Sequence, residues 1–230
     1  ERRFMAPFHF IRDNLRFLSA GFVLLLSSCP GQTFFISIFA AQIMAEFSLS
    51  DGDWGLVYTL STTASAVALF WAGALTDRFR VRLLAAIVMP GLALSCIAMG
   101  INASLIGLVL VVFLLRFFGQ GMMYQLAATA MARWFVSRRG LALSISSMGF
   151  MFGQAFYPMI FASLLAAYDW RVLWGLAGAL VLVAFPIILR LLSLERMPAA
   201  HAETQNSSGM DGRHWTRAEV MRSPVFLMLL

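Results

Sequence analysis

The sequence predicts an all-α polytopic membrane protein, a single bundle of six transmembrane helices. Composition is the first observation: 60% of the 230 residues are hydrophobic and 12% charged. Soluble domains are about half apolar and about a quarter charged. The second is that the apolar residues gather into long runs, and about 20 helical residues suffice to cross a bilayer. The third is the placement of charge. The chain has no lysine, and its arginines fall almost wholly in alternate loops.

Apolar runs place the spans at 17–45, 54–76, 83–101, 105–134, 140–167 and 171–194. Arg2, Arg3, Arg12 and Arg16 precede the first, and Pro30 within it removes an N–H and loosens the helix. Glu46, Asp51 and Asp53 separate the first span from the second. Arg78, Arg80 and Arg82 separate the second from the third, and Arg133, Arg138 and Arg139 the fourth from the fifth. Asp169 and Arg171 open the sixth, and Arg190 closes it. Fifteen arginines thus lie on one side, with Arg171 alone on the other and Arg116 within the fourth span. This positive-inside bias predicts a multi-pass protein of the plasma membrane, the inner membrane of a bacterium, with a cytoplasmic N-terminus. A net charge of +6 therefore serves topology, and no nucleic-acid partner is expected.

The bundle is expected to occupy 1–194. A polar linker over 195–222 contains Pro198 and Gln205-Asn206-Ser207-Ser208-Gly209, and Ser223-Pro224-Val225-Phe226 onward reads as the start of a seventh span. Cys29 and Cys96 fall in separate apolar spans and read as small hydrophobic filler. No nucleophile–base pair, phosphate loop or metal cluster is present, so no enzyme, cofactor or metal is expected.

Two groups of residues carry function. Arg116 lies about ten residues from either solvent, which costs about 2.5–3.5 kcal/mol on insertion scales. With no Asp or Glu near mid-membrane, its charge must be met by water, backbone, a ligand or another part of the protein. At helical spacing, Gln120 and Tyr124 share its face. The dipeptide Gly-Gln recurs as Gly31-Gln32, Gly119-Gln120 and Gly153-Gln154, each mid-span. Unpaired amides at that depth are costly, so Gln32, Gln120 and Gln154 point to a shared wet interior, unless each simply bonds a neighbouring helix. The other group is Gly73-Ala74-Leu75-Thr76-Asp77-Arg78-Phe79-Arg80-Val81-Arg82, in which Gly73 permits close helix approach.

The spacing G-x-x-x-D-R-x-x-x-R resembles the loop between helices 2 and 3 of the major facilitator superfamily. There the family has glycine three residues after the aspartate, where this chain has Arg80. The resemblance implies secondary transport by alternating access, with a six-helix bundle built as a 3+3 inverted repeat. It implies that Gly73, Asp77, Arg78 and Arg82 form a cytoplasmic gate. Family members usually have twelve helices, so this sequence is expected to be an N-terminal half that works with a missing C-terminal six-helix half. Gln154 stands where drug/proton antiporters of the superfamily carry proline. Arg133-Trp134-Phe135 and Asp169-Trp170-Arg171 look more like transporters of monocarboxylates and oxalate/formate. The expected substrate is a small organic anion with Arg116 as charge partner and Gln32, Gln120, Tyr124 and Gln154 as lining. An exporter of neutral or cationic drug-like compounds, with Arg116 structural, is the alternative. A non-transporting membrane sensor on the same fold is a third.

Overall fold

The computed structural model describes residues 2–135 and 137–194. The linker expected over 195–222 and the seventh span expected from 223 lie outside the described residues. Every described element is helical. The first span is α1 (Arg2–Ser27), a 3-10 turn (Cys29–Gly31), α2 (Thr33–Ile36), a second 3-10 turn (Ser37–Phe39) and α3 (Ala40–Glu46). The second is α4 (Asp51–Ala72), followed by the short α5 (Leu75–Arg78), and the third is α6 (Val81–Ile101). The fourth consists of α7 (Leu105–Leu115), a π-helical segment (Arg116–Met123) and α8 (Tyr124–Trp134). The fifth and sixth are α9 (Arg139–Leu165) and α10 (Trp170–Leu191).

Local chemistry sets most of these boundaries. Ser50 caps α4 in a reciprocal box with Asp53. Ser104 accepts from the amide of Gly107 at the start of α7, and Asp169 from that of Arg171 at the start of α10. The first span departs from expectation. It enters much earlier than residue 17, and its two halves, His9–Gly31 and Thr33–Glu46, meet at 43°. Pro30 leaves the Leu26 carbonyl without its helical donor, and Gln32 turns extended (φ −88°, ψ 153°) before the helix resumes.

Helix pairing shows the inverted repeat. The most extensive contacts join α6 to α10, α1 to α9, and α4 to the fourth span. Exchanging spans 1 with 4, 2 with 5 and 3 with 6 maps the 3–6 pair onto itself and the 1–5 pair onto 4–2. The core includes an aromatic cluster on the side away from the arginine-rich loops. Phe35 stands edge-on to Trp174 at 5.2 Å and to Phe161 at 4.8 Å, tying the outer half of span 1 to spans 5 and 6.

Two arginines that sequence reasoning assigned to topology alone hold helix ends. Arg16 donates from Nε to the Leu191 carbonyl at 2.9 Å, and from Nη2 to the Arg190 carbonyl and to Ser193 Oγ, closing the end of α10. At the opposite end Arg171 donates to the carbonyls of Gly100 and Asn102, at 3.2 and 2.7 Å, closing α6. It also pairs with Glu46 at 3.0 Å and lies over the Trp170 ring. Arg171→Ala is expected to cost about 1–2 kcal/mol, the lower part of the range for charged hydrogen bonds, because the side chain is 27% exposed. Glu46→Gln is expected to cost under about 0.5 kcal/mol, since its carboxylate is 48% exposed and screened. Thermal unfolding of both variants checks the order; equal losses would mean that the ion pair, not the capping, holds this corner.

Candidate functional site

Arg116 opens the π-helical segment and is 6% exposed. Its Nη1 donates to Thr33 Oγ1 at 2.9 Å, and its guanidinium carbon lies 5.4 Å from the centre of the Tyr58 ring. The Tyr58 hydroxyl donates to the same Thr33 Oγ1 at 2.9 Å. One hydroxyl thus joins spans 1, 2 and 4. Having accepted twice, Thr33 keeps its own O–H to donate, and Thr33 is exposed. Arg116 Nε is buried without a partner, and no carboxylate pairs with Arg116 among the described residues. Neither Thr33 nor Tyr58 was singled out from the sequence. Each reads as an ordinary polar residue of its span, and of the three only Arg116 carried a signal.

Along the expected common face burial differs: Arg116 is buried, whereas Gln120 and Tyr124 are exposed. The segment itself is π-helical, its backbone bonds running from i to i+5 in place of i to i+4. Such segments recur at functional positions in helices.

Two of the three Gly-Gln dipeptides meet through their glycines, and the third packs beside them at Cys29. A Cβ on Gly119 would lie 2.6 Å from the Gly31 Cα, and one on Gly153 would strike Cys29 Sγ. Spans 4 and 5 therefore both press against the break in span 1. The glutamines diverge: Gln32 is buried, with Nε2 unpartnered, while Gln120 and Gln154 are exposed.

In the loop between spans 2 and 3, the Gly73 carbonyl accepts from Thr76 Oγ1 at 2.7 Å and from Gln125 Nε2 at 3.5 Å. A Cβ on Gly73 would come within 2.8 Å of that Gln125 nitrogen, so the close approach is made by span 4. Arg78 and Arg82 are exposed; the side chain of Asp77 lies outside the described residues. Arg80 caps α6 with φ −67° and ψ 140°, extended backbone open to any residue. The turn therefore does not need glycine at this position.

The family model described as Major Facilitator Superfamily matches residues 21–230. This chain belongs to the major facilitator superfamily. The match agrees with the all-helical bundle of membrane-spanning length described above. Two curated relatives are similar. Membrane sensor protein UhpC of Salmonella typhimurium (strain LT2) is 28% identical over 144 residues, 62% of this chain and 32% of that protein. Membrane sensor protein UhpC of Escherichia coli (strain K12) is 26% identical over 195 residues, 81% of this chain and 44% of that protein. The matched stretch thus covers less than half of either relative.

Proposed function

We propose that this bundle is part of a secondary transporter that moves a small organic anion by alternating access, pairing with a second six-helix bundle across a central cavity. The observation that carries this reading is Arg116. It is a buried cation held by one hydroxyl and one aromatic face, with a donor left over and no carboxylate among the described residues to neutralise it. A charge in that setting is expensive, and an anionic substrate offsets the cost when it binds. Thr33 and Tyr58 orient the guanidinium, while Gln32, Gln120, Tyr124 and Gln154 supply polar lining. Gly73, Asp77, Arg78 and Arg82 act as the gate at the arginine-rich end.

The test is uptake of radiolabelled carboxylates, cationic dyes and neutral solutes by vesicles reconstituted with the intact protein. Carboxylate flux supports the proposal, and flux confined to cations or neutral solutes rejects it. A second reading has its own support, because both curated relatives are named membrane sensor proteins. Carboxylate binding without flux of any solute would favour that sensor role.

The arginine-rich end is assigned to the cytoplasm of a bacterial inner membrane. Cys29 and Cys96 are fully buried, so new cysteines report cleanly. Ala103→Cys is expected to react with an impermeant maleimide in intact cells, and Ser137→Cys only after permeabilisation. The reverse pattern would invert the topology.

A further inference from the structure

Arg116 accounts for the charged end of a ligand but not for the surface beside it. The short helix α2 and the turn after it have two sides: Thr33 and Ser37 are exposed and Phe34 half-buried, while Phe35, Ile36 and Phe39 are fully buried. Thr33, which holds Arg116, is therefore followed on the same open side by Phe34. From there an aromatic strip runs across three spans. The Phe34 ring stands edge-on to Phe150 of α9 at 5.9 Å, and Phe150 edge-on to Tyr124 of α8 at 6.3 Å. Phe34 and Phe150 are half-buried and Tyr124 is 46% exposed, so one side of the strip is uncovered. Lipid does not explain a strip that starts beside a buried arginine and a free hydroxyl donor, since such groups avoid hydrocarbon.

Resting on the anion reading above, we propose that the ligand is an aromatic monocarboxylate. Its carboxylate takes the free Thr33 O–H and an Arg116 N–H, and its ring packs against Phe34, Phe150 and Tyr124. The rings offer the edge-to-face and offset contacts that aromatic groups prefer. Acetate has nothing to set against this strip, and the second carboxylate of succinate would lie on it unpaired.

The experiment is thermal unfolding of the intact protein titrated with acetate, succinate, benzoate and phenylacetate, since a ligand that binds only the folded state raises its stability. Benzoate or phenylacetate is expected to bind about tenfold tighter than acetate. Phe150→Leu and Phe34→Leu, which keep the core apolar, should each lower benzoate affinity more than acetate affinity and so shrink that preference. Equal binding of aromatic and aliphatic carboxylates would overturn the inference and leave the anion reading standing. So would an equal loss of both ligands in the leucine variants. A benzoate shift that survives Arg116→Gln would show partition into apolar surface and would overturn it also. If no carboxylate binds the parent, the anion reading fails and the aromatic inference falls with it.

Discussion

Arg116→Gln is expected to abolish anion flux while leaving the bundle folded, with a ligand-free melting temperature equal to or above that of the parent. The two effects have opposite signs because the charge has opposite roles in them. For folding, a guanidinium at 6% exposure with Nε unpartnered is a desolvated cation satisfied only in part. Glutamine can still donate toward Thr33, and it removes the charge, so the fold loses little. For binding, losing a buried charged partner costs about 2–5 kcal/mol, a reduction of about 30-fold to about 4,000-fold. Arg116→Lys is expected to fail nearly as badly, because an ammonium lacks the planar fork that reaches Thr33 and a ligand together. Flux into vesicles and melting curves on the same preparations check both halves. If flux survives in Arg116→Gln, the residue is structural and the anion proposal is rejected.

Gly119→Val is expected to prevent the bundle from assembling, with loss of the folded protein from detergent extracts. The Cα of Gly31 lies 2.6 Å from the position a Cβ would take on Gly119, and the Ser28 carbonyl lies 3.1 Å from it. Both are backbone atoms and cannot move aside as a side chain can. Overpacking in a core costs about 1–3 kcal/mol where side chains relax. Here relief requires separating span 1 from span 4 at the π segment, which also pulls Thr33 away from Arg116. Gly175→Val is the control, since a Cβ there meets nothing within 4 Å, and it should fold normally. Size-exclusion profiles of the two variants distinguish them. A monodisperse Gly119→Val protein that still binds ligand would show that the crossing is looser than these distances imply.

The spans were legible in the sequence because the constraint that defines them is local. A backbone in hydrocarbon must satisfy its own hydrogen bonds, so each crossing is a continuous apolar helix whose length can be counted. The third span was expected at 83–101 and is Val81–Ile101; the fifth was expected at 140–167 and is Arg139–Leu165. The first span was harder. Its apolar run gives no sign that the helix extends back to Arg2, and Pro30 marks a break without fixing its angle.

What the sequence determined by itself is therefore the membrane class, the spans and the clustering of arginines at one end. All of these follow from solvation of each segment taken alone. It also exposed Arg116, because a mid-membrane charge conflicts with its own span. Only the tertiary structure decided what meets that charge. Tyr58 and Arg116 lie 25 and 83 residues from Thr33 along the chain, and no periodicity links them. The capping of α10 by Arg16 and of α6 by Arg171 was hidden in the same way, since a topogenic arginine and a capping arginine read alike in sequence. The π segment was hidden as well. So was the burial along it, which covers Arg116 and leaves Gln120 and Tyr124 exposed.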